Sequence, residues 1–159
     1  MKIELRPVTI ANRGDLEDID AGDPQRRWVH SPWNWHQWSL DNSQIIFRLI
    51  HSSESETAVG MVAYGPLYED EHLIRSVPGA YELIHLVIDH RFQAKGIGQI
   101  VAESVITELR RLPDCQEIFV AHHPENTVSR GFFARLGFQE SMRKNYDGDP
   151  VRVLRVQRT

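Results

Sequence analysis

The feature that most constrains this chain is a nearly all-apolar segment that leads into a glycine-containing turn. The segment is Tyr81–Ile88 and the turn is Gln93–Gly98, with the sequence Gln-Ala-Lys-Gly-Ile-Gly. A short apolar run is typical of a buried strand, and the residues after the turn have helical periodicity. Gly96 and Gly98 let a ligand approach the backbone, and the amides that begin a helix carry the positive end of its dipole. The sequence therefore predicts a strand, a phosphate-binding turn and a helix in succession.

The composition of the 159 residues, 41% hydrophobic and 25% charged, is that of an ordinary globular protein. We expect a single domain over residues 1–159. No apolar run approaches the roughly 20 residues of a membrane span, and the N-terminus lacks the apolar centre of a signal peptide. The one cysteine, Cys115, cannot form an internal disulfide, which favours a cytoplasmic location. The net charge of -4 argues against nucleic acid and suits a small cationic partner.

Apolar periodicity before the central segment predicts three strands and two helices. The strands are Lys2–Val8, Gln44–His51 and Ala58–Tyr64, and the helices are Asn12–Ile19 and Pro32–Asn42. Gly65-Pro66 is expected to end the third strand and to open a loop of about fourteen residues, 66–80.

The pattern after the turn alternates helices and strands. It predicts helices over Gly98–Leu112 and Asn126–Leu136 and strands over Glu117–Ala121, Phe138–Tyr146 and Val151–Gln157. Asp147-Gly148-Asp149 is a hairpin signal between the last two strands. The order predicts an α/β domain with a mixed sheet, with parallel pairing wherever a helix separates two strands.

Two of these segments resemble motifs of the GNAT superfamily of N-acetyltransferases. The turn Gln93–Gly98 matches the family pattern Q/R-x-x-G-x-G/A, and Asn126–Phe138 resembles the second family motif. The resemblance implies a mixed, mostly antiparallel sheet of six to seven strands flanked by about four helices. The segment Val87–Gly98, with Tyr64-Gly65 and Asp147-Gly148, is most similar to bacterial spermine/spermidine acetyltransferases.

The resemblance implies acetyl-CoA as the co-substrate, and we expect no metal site. Backbone amides of the turn would hold the pyrophosphate, and the pantetheine arm would lie beside the end of the central strand. The implied cofactor-binding residues are Leu86, Val87, Ile88, Gln93, Ala94, Lys95, Gly96, Ile97, Gly98, Asn126 and Phe133.

Transfer of an acetyl group to an amine requires a base, because an alkylamine with a pKa near 10.4 is protonated at neutral pH. Glu82 is the first candidate. It shares a strand face with apolar neighbours, so burial would raise its pKa, and it lies where relatives that resemble histone acetyltransferases carry a catalytic glutamate. A salt-bridged glutamate near the strand's edge is the alternative.

Three histidines are further candidates. His85 faces the other side of the strand and is expected to be packed. His122 and His123 follow the neighbouring strand and are either a base or loop residues with no role.

The family often has a tyrosine that protonates the CoA thiolate, and Phe133 occupies that position here. A thiol with a pKa near 8.5 is a tolerable leaving group, and Tyr146 or a water molecule is the candidate substitute.

The acceptor site is expected in two segments. Trp28 and Trp33 belong to a tryptophan-rich stretch, 28–38, that either packs in the core or holds an ammonium by cation–π attraction. Glu69 and Asp70 lie in an acidic run that is either solvated surface or acceptor site.

A small amine, polyamine-like by resemblance, is the expected acceptor. A non-catalytic acyl-CoA-binding module, or acetylation of a protein or peptide amine or an antibiotic, is the alternative, and the sequence leaves a homodimer open.

Overall fold

The computed structural model describes residues 1–22, 32–122 and 127–157, and only the backbone of Thr127. Its seven strands form one mixed sheet in the order β1-β2-β3-β4-β5-β7-β6, which confirms the predicted strand number. The strands are β1 Ile3–Arg6, β2 Ile46–Ser52, β3 Gly60–Tyr68, β4 Ser76–Ile88, β5 Glu117–Ala121, β6 Gln139–Lys144 and β7 Pro150–Arg155. The helices are α1 Pro32–Asp41, α2 Ile97–Arg110 and α3 Thr127–Arg135, with 3-10 turns at Arg13–Asp18 and His90–Phe92.

The chain comprises two compact units, residues 1–64 with 85–104 and residues 65–84 with 105–159. Strands β3 and β4 and helix α2 each contribute to both units. The expectation of a single domain stays a prediction.

The first unit is built on antiparallel pairing of β1 with β2 and of β2 with β3. Its core contains Leu49, Ile50 and Met61, none of which has an exposed side chain. The backbones of β3 and β4 approach closely, since a Cβ on Gly60 would lie 2.3 Å from the carbonyl oxygen of Val87. A glycine is therefore required at position 60.

The second unit joins β4 to β5 in parallel and β5 to β7 antiparallel. The parallel pairs are Ala80 with Glu117, Tyr81 with Ile118 and Glu82 with Phe119, as expected for strands separated by a helix. The core cluster of this unit consists of Leu67, Ala80, Phe119, Val151 and Val153.

The predicted loop over 66–80 is wrong. Strand β3 continues through Gly65-Pro66 to Tyr68, and β4 begins at Ser76, so the connection covers only 69–75. Leu67 and Tyr68 are 3% and 6% exposed, so their burial favours an extended strand despite the local Gly-Pro break signal. The segment Asn12–Ile19 is a 3-10 turn rather than an α-helix, and other predicted ends differ by a few residues.

No helix in the described ranges is long and apolar enough to cross a membrane.

Candidate active site

The turn after β4 has the backbone geometry of an anion site. Ala94 and Gly96 both have positive φ, +63° and +82°, and α2 begins directly afterwards at Ile97. Left-handed residues within a turn direct successive amides toward one side, and the first amides of a helix have no acceptor within the helix. Holding a non-glycine residue such as Ala94 in this region costs roughly 1–2 kcal/mol. A Cβ on Gly96 would meet no atom within 4 Å, so this side of the turn is open.

The start of the turn is held by a buried carboxylate. Asp89, 1% exposed, accepts hydrogen bonds from the backbone amides of Asp20 (3.1 Å) and Arg91 (2.9 Å) and from the Arg91 guanidinium (2.8 Å). Burial alone would raise the pKa of Asp89, but these hydrogen bonds outweigh it and lower the pKa. Arg91 and Lys95 also lie over the Phe92 ring, at 5.6 and 5.8 Å from its centroid. The turn therefore combines amides with nearby cations, which suits a phosphate.

The strand before the turn has one covered and one accessible face. Val87 is 5% exposed, whereas Leu86 and Ile88 are half-buried. Apolar side chains that remain half-buried beside an anion-binding turn are compatible with the predicted pantetheine contact.

Glu82 lies on β4 in the second unit, opposite Phe119 of β5. It is half-buried, and burial of its carboxyl raises its pKa to about 8. A carboxylate with this pKa is a far stronger base than an ordinary glutamate and is still ionised in part at neutral pH. The salt bridges among the described residues include none to Glu82.

Tyr146 lies in the negative field of Glu82. Although Tyr146 is 43% exposed, its partial burial raises its pKa to about 12, and the charges of Glu82, Asp147, Glu71 and Asp70 contribute to the increase, in that order. The phenol is therefore protonated at any physiological pH. The charges of Glu82 and Asp70, which lie on two other elements of the chain, thus act on Tyr146.

The position of Tyr146 depends on the turn between β6 and β7 rather than on a strand. Strand β6 ends at Lys144, so the predicted strand over Phe138–Tyr146 is too long. The Asn145 side chain accepts hydrogen bonds from the amides of Asp147 (3.0 Å) and Asp149 (2.9 Å). These Asx-type bonds fix the turn that carries Tyr146. Asn145 was not among the predicted site residues, although an Asn two residues before Asp147-Gly148-Asp149 is a signal for such a turn.

The acidic run is part of a structured turn. Asp70 accepts hydrogen bonds from the amides of Arg75 (2.8 Å) and Ile74 (3.1 Å), and the bond from Arg75 is the main reason that its pKa is lowered. Glu71 is exposed and lies 3.5 Å from the ring of His72, and Glu69 is exposed as well. Asp70 thus has a structural role in addition to its charge. Glu71, which was not among the predicted site residues, adds to the negative field at Tyr146.

Two further predicted site residues are buried. His122, 9% exposed, directly follows β5, and its amide donates a 3.4 Å hydrogen bond to the carbonyl of Pro150. Phe133, 8% exposed, makes edge-to-face contacts with Phe132 and Phe138 at centroid distances of 5.1 and 5.8 Å. Phe133 is a packed core residue with no proton to donate. The predicted residues His123 and Asn126 lie outside the described residues.

The tryptophans of helix α1, in the first unit, differ in how far they are buried. Trp35 is 5% exposed, stacks on His85 at 5.6 Å and meets Trp38 edge-on at 4.6 Å. The expectation that His85 is packed is confirmed. Trp33 is 42% exposed and is the tryptophan of α1 that a ligand could reach most easily. Trp28 lies outside the described residues.

Within the described ranges, no group of three or more His, Cys, Asp or Glu side chains could hold a metal ion.

Comparison with known proteins identifies the class. The sequence pattern of the acetyltransferase (GNAT) family matches residues 15–138, so the chain belongs to that family. It is an N-acetyltransferase that uses acetyl-CoA. Over 157 residues it is 24% identical to the spermine/spermidine N(1)-acetyltransferase of Bacillus subtilis strain 168, covering 96% of this chain and 98% of that protein.

Solved structures share the fold at low sequence identity. The PaiA N-acetyltransferase of Thermoplasma acidophilum in complex with coenzyme A has a TM-score of 0.69 and 16% identity, over 98% of this chain and 99% of that one. An acetyltransferase of Agrobacterium tumefaciens has a TM-score of 0.73 and 17% identity, over 96% and 90% of the two chains. The predicted fold is confirmed.

Proposed function

We propose that the protein acetylates a primary amine of a small polycation of the polyamine type, with Glu82 as the base. The observation that carries the proposal is the negative field around Tyr146, to which Glu82, Asp70 and Glu71 all contribute. A polyamine carries several ammonium groups at neutral pH, so one can lose its proton to Glu82 and react while the others interact with Asp147, Glu71 and Asp70. The likeness to a spermine/spermidine acetyltransferase supports the same class of acceptor.

Acetyl-CoA is proposed to bind with its pyrophosphate on the amides of Gln93, Ala94, Lys95, Gly96, Ile97 and Gly98. The open, left-handed geometry of the turn supports this role. Leu86, Val87 and Ile88 would contact the pantetheine arm, and Asn126 and Phe133 stay predictions.

Glu82 is proposed to accept a proton from the acceptor ammonium, directly or through a water molecule. The acceptor amine has a pKa near 10.4, which is about six pKa units above that of an ordinary glutamate. Because the pKa of Glu82 is about 8, this pKa difference falls to between two and three. The amine nitrogen then bonds to the acetyl carbonyl carbon, and the bond between that carbon and sulfur breaks. Two protons leave the nitrogen in all; one ends on the CoA sulfur and the other is released to solvent. His122 remains a second candidate base.

Tyr146 is proposed to donate a hydrogen bond to the departing sulfur rather than to transfer its proton. Its pKa of about 12 lies well above the thiol value near 8.5, so full transfer is unfavourable by more than three units. A donated hydrogen bond still stabilises a thiolate. This role is compatible with the absence of a tyrosine at Phe133.

Trp33, exposed on α1, is proposed to contact the acceptor, while Trp28 stays a sequence prediction. A cytoplasmic location also stays a prediction, in keeping with the single cysteine of the sequence, Cys115, which is buried, and so does a homodimer.

The test is release of CoA thiol by the purified protein with acetyl-CoA and a panel of polyamines, amino acids, aminoglycosides and peptides. We expect the highest kcat/KM for spermine or spermidine. Transfer confined to peptide amines or aminoglycosides would overturn the proposed acceptor. No transfer to any member, with CoA binding intact by calorimetry, would favour the non-catalytic alternative.

A further inference from the structure

The side chain of Gln93 ties the glycine turn to a distant segment of the first unit. Its amide nitrogen donates hydrogen bonds to the carbonyl oxygens of Ala21 and Ile88, both at 2.9 Å. A primary amide has two N–H groups, so one side chain satisfies both carbonyls. The result is a three-way link among the end of β4, the start of the turn and the segment 20–22.

The segment 20–22 is itself fixed against the residues that precede the turn. The backbone amide of Asp20 donates to Asp89 (3.1 Å), and the carbonyl of Asp20 accepts from the amide of His90 (2.8 Å). Gly22 has a φ of +78°, and a Cβ on it would lie 2.7 Å from the Cβ of His90. The chain therefore passes so close to His90 that only glycine fits, and Ala21 is a rigid anchor for Gln93.

The turn needs such an anchor because its backbone is unfavourable on its own. Ala94, the residue directly after Gln93, is held at a φ of +63°, and Gly96 also adopts positive φ. Without a constraint, a chain at Ala94 relaxes to negative φ, which would redirect the amides that face a ligand. The Gln93 link acts at the residue where this relaxation would begin.

We propose that Gln93 is a positioning residue whose side chain preorganises the turn for the pyrophosphate of acetyl-CoA, with Ala21 as its anchor. The inference rests on the proposed placement of the pyrophosphate on residues 93–98. It assigns the glutamine of the motif a task for its side chain in addition to that of its backbone amide. Preorganisation lowers the ordering cost of binding, so the effect should appear in donor affinity.

The experiment compares acetyl-CoA with S-acetylpantetheine, a donor that has the same thioester but no pyrophosphate. For Gln93→Ala we expect KM for acetyl-CoA to rise about tenfold and KM for S-acetylpantetheine to change less than about twofold, with kcat unchanged. Gln93→Arg, allowed by the family pattern and able to donate to both carbonyls, should restore most of the affinity. Gln99→Ala is the matched control, because Gln99 is exposed and its side chain donates a 3.0 Å hydrogen bond to Glu103 of its own helix.

The outcomes separate the positioning role of Gln93, called the Gln93 brace below, from the proposed pyrophosphate site. Equal losses with both donors, or no loss with either, in a Gln93→Ala protein of normal melting temperature would overturn the role of Gln93. Gly98→Asp tests the placement itself: if it too leaves the preference for acetyl-CoA intact, the pyrophosphate does not bind at this turn and both proposals fail. If Gly98→Asp abolishes the preference and Gln93→Ala does not, only the brace fails.

Discussion

The turn 93–98 in the first unit and the acidic region around Tyr146 in the second unit are built in opposite ways. The turn presents backbone amides, and its geometry depends on six consecutive residues with Ala94 and Gly96 at positive φ. The acidic region presents side chains from three separate elements, including Asp70, Glu82 and Tyr146. A backbone site tolerates changes in side-chain chemistry but not in conformation or local charge. A side-chain site depends on each carboxylate individually.

The largest expected effect comes from placing a charge in the backbone site. Gly98→Asp adds a carboxylate to the first turn of α2. The carboxylate interacts favourably with the positive end of the helix dipole but repels a phosphate. We expect CoA binding to weaken about 100-fold, equivalent to about 2.7 kcal/mol, with no loss of melting temperature. Calorimetric titration of CoA and thermal unfolding measure the two quantities.

Ser104→Asp is the control for that change, since Ser104 is exposed further along the same helix. An equal loss of CoA affinity in both variants would show a general charge effect and contradict the proposed site.

The next largest effect tests the side-chain site through its base. Glu82→Gln keeps the shape of the side chain and removes its basicity, so kcat should fall at least about tenfold while the Kd of acetyl-CoA stays nearly the same. Steady-state kinetics with spermine and calorimetry provide the values. Glu117→Gln, the same change on β5, should have little effect on either. Unchanged turnover in Glu82→Gln would remove Glu82 from the catalytic role.

A smaller effect is expected at the exposed edge of the acidic region. Glu71 is 72% exposed, so solvent and salt screen its charge. Glu71→Gln should raise KM for spermine about twofold to fivefold at low salt, and less at high salt or with a monoamine acceptor. Glu56→Gln removes the same charge from an exposed position of the first unit. If both variants raise KM alike, the local field is not what attracts the acceptor.

The smallest effect concerns stability in the first unit rather than catalysis. Burial lowers the pKa of His51, with a further contribution from the charge of Arg6, and its Nε2 atom has no hydrogen-bond partner among the described residues. Because the folded pKa lies below the unfolded value near 6.5, the unfolded state binds more protons as the pH falls. The free energy of unfolding should therefore decrease below about pH 6.5, by at most about 1.4 kcal/mol per pH unit for this group.

Urea unfolding at pH 5.5 and 7.5 measures this dependence. His51→Leu should reduce it, whereas His72→Gln, at an exposed histidine, should leave it unchanged. Identical pH dependence in wild type and His51→Leu would show that His51 does not contribute.

The contrast between the two regions also explains what could be predicted from the sequence. The strand, turn and helix around residues 81–98 were predictable because the glycines and the apolar run are local signals. The 66–80 loop was predicted wrongly because Gly65-Pro66 is a local break signal, whereas burial of Leu67 in the core cluster is a long-range effect.

The electrostatic interaction of Glu82 with Tyr146 could not be derived from spacing. It depends on the parallel pairing of β4 with β5, on the pairing of β5 with β7, and on the Asn145 turn that precedes β7. The hydrogen bond from the Gln93 side chain to Ala21 could not be predicted either, because Ala21 lies in a segment with no recognisable motif.

The most direct test of the central claim is the pH dependence of kcat/KM for spermine at saturating acetyl-CoA, measured for wild type and Glu82→Gln. A base with a pKa of about 8 must be deprotonated to act, and kcat/KM reports the enzyme before spermine binds, so wild-type kcat/KM should rise through an apparent pKa near that value. This rise should be absent in Glu82→Gln. The same rise in both proteins, or a wild-type kcat/KM that does not change between pH 6 and pH 9, would contradict the assignment of Glu82 as the base.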